Sequence, residues 1–163
     1  MAEGSHTGRF RHMSATDKPV EERRDRPDFA WFMQMPTRWI DNDLYGHMNN
    51  ALYYSVFENV VMSWLEIEKG LNPNTGNVRC FTAENGCRYL SAVKYPDVLD
   101  CGLRVAHLGN SSVRYELGIF VAEREPIRAM GHIIDVFVDA STERPIRIPD
   151  EFRQALGSLQ VTG

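Results

Sequence analysis

The stretch from Asn50 to Lys69 carries more apolar surface than a helix lying on a protein's exterior can hide. Placed at 100° per residue, its apolar residues, from Leu52, Tyr53 and Tyr54 through Val56, Phe57, Val60 and Val61 to Trp64, Leu65 and Ile67, cover well over half the circumference. Such a helix has to be enclosed on most sides. Asn49 or Asn50 supplies an N-cap and Gly70 a stop, so the spacing predicts about 20 residues and a rod of roughly 30 Å.

The rest of the chain offers material to enclose it. Upstream, "FAWFMQMPTRW" reads as a strand; after the breaking segment "NPNTGN", four stretches alternate or run apolar at strand length. They are "NVRCFTAENGCRYLSAVKY", "DVLDCGLRVAHLG", "SSVRYELGIFVAE" and "IRAMGHIIDVFVDA". Tight connections such as "LGNSS" and "EREP" favour antiparallel pairing, because a parallel crossover needs a dozen or more residues. A short helix is expected in "PDEFRQAL". The order strand, long helix, four strands predicts an α+β domain with one buried helix against a curved antiparallel sheet.

Composition bounds the function. A chain of 163 residues suits one core, and a net charge of −4 without clustered Lys and Arg argues against nucleic acid as a partner. No apolar run approaches a membrane span and the first residues lack a signal-peptide stretch, so no membrane partner and a cytoplasmic location are expected. Cys80, Cys87 and Cys101 are odd in number and form no C-x-x-C pair, which reads as buried thiols. Residues 1–27 are polar, mixed in charge and without apolar period: a disordered or mobile tail, with the domain over 28–163.

The chemistry concentrates in "RWIDNDLYGHMNN", Arg38 to Asn50. No G-x-S-x-G, P-loop, G-x-G-x-x-G or H-E-x-x-H appears, so nucleophilic serine chemistry has no local support. This segment instead sets two aspartates before a helix start, where unpaired backbone N–H groups and partial positive charge can hold an oxyanion. A carbonyl at the Asn50 N–H can be attacked by Asp43, or by a water that Asp43 deprotonates. The same residues also serve as ordinary turn and cap residues, and on composition alone that reading stands beside the catalytic one.

"DNDLYGHMNNALYYSVFENVVMSWL" resembles the start of the hotdog-fold acyl-CoA thioesterases of the 4-hydroxybenzoyl-CoA thioesterase family, whose signature runs approximately D-x-D-x-x-G-H-x-N-N-x-x-Y into a long central helix. "CRYLSAVKYPDVL", "GNSSVRYELGIF" and "DASTERPIRIPDEFRQAL" are similar to that family's later strands and closing helix, and the likeness spans roughly residues 29 to 157. It implies a hotdog fold: a curved antiparallel sheet wrapped around one long helix. It also implies hydrolysis of an acyl-CoA to the free acid and CoA, with Asp43 as nucleophile or general base, the Asn50 amide polarising the carbonyl, and Gly46 where the chain approaches the thioester. His47 either orients Asp43 or fills the turn. Asp41 reads as a turn acceptor and Asn49 as a cap first and a substrate contact second. No metal is expected from Asp41, Asp43 and His47, which lack further convergent ligands, and no cofactor beyond the coenzyme A of the substrate.

A related branch of the fold places its acid on the central helix, which makes Glu58 the alternative carboxylate; Glu84, in an expected strand bulge, is a weaker one. Tyr89, Ser111, Ser112 and Arg114 are candidate substrate contacts, and Tyr95, Phe81 and the thiols line either an acyl pocket or the core. Coenzyme A phosphates ordinarily want Arg, Lys or helix N-termini. The basic cluster that some members carry before the strand beginning "GNSSVR" is absent here, leaving Arg114, Arg88 and Lys94 as phosphate candidates and acyl carrier protein as an alternative carrier. So apolar a helix under one sheet favours a homodimer with a continuous sheet, or a homotetramer. A non-catalytic acyl-CoA-binding module, and a hotdog dehydratase or hydratase using His47 and Asp43, are the competing functions.

Overall fold

In the computed structural model, residues 24–122 and 124–161 are described, without the side chain of Glu125. The expected tail therefore lies outside the described residues up to position 23. Its last residues are held to the sheet: Arg26 pairs with Asp100, and its guanidinium lies 4.6 Å from the centre of the Phe120 ring.

The elements follow the order read from the sequence: β1 (Trp31–Pro36), α1 (Asn50–Met62), β2 (Val78–Tyr89), β3 (Val98–Leu108), β4 (Ser112–Val121), β5 (Arg124–Asp139) and α2 (Asp150–Gly157). All pairings are antiparallel and the five strands form one sheet in the order β1-β3-β4-β5-β2. This is the hotdog fold. β2 thus sits at an edge beside the last strand and not beside β3, its successor in the chain.

The expected 20-residue helix is split. Beyond Met62 it widens into a π segment, Ser63–Glu68, in which the Lys69 N–H reaches the Trp64 carbonyl at 3.1 Å. The wider turn accommodates two consecutive large residues, Trp64 and Leu65, that are 1% and 2% exposed. α1 buries Tyr53, Val56, Phe57, Val60 and Val61 against the inner positions of the sheet, among them Leu103, Val113, Tyr115, Leu117, Ile133 and Phe137. Contact is close enough that a Cβ at Gly131 would fall 2.2 Å from the Phe57 ring. The helix therefore rests on the backbone of β5, and only glycine fits there.

Candidate active site

The loop between β1 and α1 is built by its own polar groups. Asp41 is buried; its carboxylate takes hydrogen bonds from the Arg38 backbone at 2.7 Å and from the Arg38 guanidinium at 2.7 and 3.0 Å. Hydrogen bonding from Arg38, outweighing burial, holds the Asp41 carboxyl below the usual range. The Asp41 carbonyl accepts from Asn49 N–H at 2.9 Å, and Met48 N–H donates to the Val93 carbonyl at 2.7 Å. The two ends of the loop are thereby joined to each other, and the end before α1 is joined to the segment between β2 and β3. Asp41 is thus a turn acceptor at the start of the motif.

Between these anchors the chain reverses. Asn42 bridges Met48, Asp43 N–H donates to the His47 carbonyl at 2.8 Å, and Gly46 N–H donates to the Asp43 carbonyl at 3.0 Å. Gly46 takes a φ of 75°, a left-handed conformation that a side chain would strain. Asp43 is half-buried at this turn. Its Oδ1 accepts from Tyr45 N–H at 2.8 Å and from His47 N–H at 3.4 Å, while Oδ2 has no hydrogen bond among the described residues. The His47 ring is exposed and has none either, so its turn contacts run through its backbone.

At the helix start, Asn49 is the N-cap: its side-chain oxygen accepts from Ala51 N–H at 3.0 Å, and its carbonyl from Leu52 N–H at 2.9 Å. Those bonds satisfy the second and third amides of α1. The first, Asn50 N–H, has no acceptor among the described residues. Its carbonyl is held by the Tyr89 hydroxyl at 3.1 Å, and Tyr89 stacks edge-on against Tyr53 with ring centres 4.9 Å apart. Tyr89 therefore ties the end of β2 to the site.

Around Asp43 lies a groove of about 880 Å³ lined by Trp39, Ile40, Asp43, Leu44, Tyr45 and Asn49, among others. Leu44 is fully exposed, and Trp39, Ile40 and Tyr45 are at least three-quarters exposed. On the other side of the helix start, Met35, Met48, Leu52, Val56 and Leu99 line a smaller pocket of about 290 Å³.

Other candidates fall elsewhere. Ser112 pairs with Val136 and Arg114 with Ile134, whereas Tyr89 pairs with Ala129. At 3.3 Å per residue, the serines and Arg114 stand roughly 15–25 Å along the sheet from the helix start of the same chain. Arg114 and Arg88 line a pocket of about 520 Å³ with Arg24, Glu116 and His132 on the sheet face away from α1. Phe81 pairs with Val136 on that outer face as well and is half exposed. Glu84 does follow a bulge, between Thr82 and Glu84, and pairs with His132 at 2.9 Å. Glu58 is exposed on α1. The three cysteines are free, and burial pushes the Cys87 thiol up to about 11 and the Cys101 thiol to about 12. They are poor nucleophiles.

One acid escaped the motif search. Asp135 stands at an inward position of β5, between the core residues Ile133 and Phe137, and the alternation in "HIIDVFV" marks it as an acid in core phase.

The comparisons agree with this fold. A family model, the thioesterase-like superfamily, matches residues 36–156, and the chain belongs to that superfamily. Among solved structures it is similar to the PA5185 protein from Pseudomonas aeruginosa strain PAO1: 41% identity over 85% of this chain and 96% of that one, with a TM-score of 0.80. With Slr0204, a 1,4-dihydroxy-2-naphthoyl-CoA thioesterase from Synechocystis, it shares the fold at 14% identity, a TM-score of 0.74, and coverage of 79% and 96%. It is also 28% identical over 142 residues to the "Uncharacterized protein YsmA" of Bacillus subtilis (strain 168), covering 86% of this chain and 92% of that one. Thioester hydrolysis is the activity this superfamily is named for.

Proposed function

We propose that the protein hydrolyses an acyl-CoA thioester to the free acid and coenzyme A, with Asp43 and the Asn50 N–H as its catalytic pair. The observation that carries the reading is their complementarity. A carboxylate held by one oxygen, with the other unengaged, sits on the turn that leads into a helix whose first N–H has no acceptor among the described residues. The thioester carbonyl oxygen accepts from Asn50 N–H, and the positive end of α1 favours the negative charge that grows there. Asp43 Oδ2 takes a proton from water as the water oxygen adds to the carbonyl carbon. The tetrahedral intermediate then collapses, the C–S bond breaks, and the CoA thiolate leaves to be protonated. Attack by Asp43 itself through a mixed anhydride uses the same geometry. Gly46 gives the substrate close access to the turn, and Asn49 holds the cap and contacts substrate.

A second copy of the chain completes the site in this reading. β2 offers a twelve-residue edge paired on one side only, and four large apolar side chains stand exposed around Asp43. Ser111, Ser112 and Arg114 reach a loop like this one only from another subunit. A homodimer continuous through β2 meets all three conditions.

The test is a thiol-release assay over short, long and aromatic acyl-CoAs. Steady release of CoA from at least one class is expected. Binding of acyl-CoA without thiol release across the panel would overturn the proposal and leave a binding module.

A further inference from the structure

The first described residues cross the face of the sheet that points away from α1. Phe57 of α1 meets the sheet at Gly131, which pairs with Leu117, so Gly118, the next residue of β4, belongs to the opposite face. Phe29 lies there: a Cβ at Gly118 would fall 2.5 Å from its ring, and one at Gly102 2.6 Å. Upstream of it, the Arg26 guanidinium lies over the Phe120 ring, and Arg24 pairs with Glu116 at 3.5 Å, through the same oxygen that Arg104 reaches at 3.3 Å. From Arg26 back to Arg24 the chain therefore moves back along β4, from Phe120 to Glu116.

Beyond Glu116 this face carries unmet charge and apolar surface. A pocket of about 520 Å³ over β4, β5 and β2 is lined by Arg24 together with Glu116, Arg114, His132 and Arg88, among others. Among the described residues Glu116 is the one carboxylate of that lining, and two arginines already share it. Arg114, two residues back along β4, is half-buried, and among the described residues its side chain has no hydrogen bond or ion pair. A guanidinium so placed is matched by a carboxylate. Two residues further back, Ser112 pairs with Val136, and Val136 with Phe81, which is 47% exposed.

The chain reaches Arg24 through "DKPVEERR", residues 17–24. We propose that residues 20–23 dock along this outer face of β4 as a strap, with Glu22 paired to Arg114 and Val20 on the patch of Val136 and Phe81. Residues two apart on an extended chain point the same way and lie about 7 Å apart, in the strap and in β4 alike. With Arg24 at Glu116, Glu22 falls at Arg114 and Val20 at the apolar patch, while the charged Glu21 and Arg23 turn to solvent. Charge and apolar character thus match the sheet at every second position. A guanidinium carries five donors, so Glu22 leaves Arg114 able to meet a substrate group as well. The strap is independent of the hydrolytic reading.

The experiment uses the full chain with Glu22→Arg, Arg114→Glu, both together, Val20→Asn and Glu21→Arg, read by thermal melting and by hydrogen exchange of amides 20–23. Each of Glu22→Arg and Arg114→Glu is expected to lower Tm by about 2–4 °C and to speed exchange by about fivefold, and the combined protein to recover both. Val20→Asn is expected to act like the single reversals, and Glu21→Arg to change neither readout. Unchanged exchange in both reversals, no recovery in the combined protein, or an equal effect of Glu21→Arg would overturn the strap. A second copy of the chain seated on this face would instead show in light scattering as a mass that falls in Arg114→Glu and holds in Glu22→Arg, which also overturns it. If Arg114→Glu does not fold, the alternation decides: faster exchange in Glu22→Arg and Val20→Asn but not in Glu21→Arg supports the strap, and no such contrast overturns it.

Discussion

Asp43 on the loop before α1 and Asp135 on β5 are both carboxylates, and their surroundings set them apart. Asp43 sits on a turn, half open to solvent, and receives backbone N–H bonds on one oxygen. Asp135 is set into the core pattern of β5, with one hydroxyl donor and a second acid nearby. Burial above all lifts the Asp135 carboxyl to about 6, against the lowering effect of Thr82 and with a further rise from Glu58. Asp43 offers an oxygen free of hydrogen bonds on an open turn, whereas Asp135 is held at an inner position of β5 beside Thr82. Residue type alone would not have separated them.

The strongest way to break this contrast is to neutralise each acid in turn. Asp43→Asn should reduce thiol release by about 10²-fold or more, the range expected when a general base is removed, with the circular dichroism spectrum unchanged. Glu58→Gln should retain most of the rate on a plain acyl-CoA. A collapse in Glu58→Gln with Asp43→Asn still active would move the base to the helix.

Asp135 sharpens the contrast through stability. A carboxyl raised above its ordinary value of 3.8 favours the folded state when protonated. Its contribution is fully present below that value and is lost as pH rises through about 6. Asp135→Asn should therefore flatten the loss of stability across this window and, at neutral pH, gain at most about 3 kcal/mol. Thermal melts of both proteins at about pH 5 and about pH 8 read it directly. Melting curves that stay parallel would mean Asp135 is not the group that titrates.

The smallest effect concerns the cap. Asn49→Ala removes the acceptor for Ala51 N–H and should cost about 1 kcal/mol of stability. Because the freed Ala51 amide competes with Asn50 for the carbonyl, KM should shift as well. Urea melts and steady-state kinetics on one preparation show whether the two effects go together.

Much of the architecture is written in local pattern. Apolar periods of 3.6 and of 2 depend on neighbours in sequence, so the order of strands and helices and the antiparallel sense are legible there. The position of β2 beside β5 is not, because pairing across some fifty residues is decided by which faces close over α1. Nor is the π segment, where the demand to bury Trp64 and Leu65 together overrides helical propensity. For the site, the turn from Asp41 to Asn50 is legible because capping and turn chemistry are short-range. Asp135 carries a readable signal in its phase, but only once the alternation through Ile133 and Phe137 is treated as fixing a face. Ser111, Ser112 and Arg114 are named from the sequence through the family resemblance, and their own chain does not bring them to the loop.

The central claim is that the cap which starts α1 also supplies the group that polarises the carbonyl. Asn50→Pro tests it without disturbing much else. Proline is favoured at the first helical position, the preceding Asn49 already has φ −57° and ψ 133°, and the amide removed has no acceptor among the described residues. We expect a folded protein whose kcat for acyl-CoA hydrolysis falls by about 10²- to 10³-fold, the loss typical of one oxyanion donor. A folded Asn50→Pro protein that releases thiol at the wild-type rate would contradict the account.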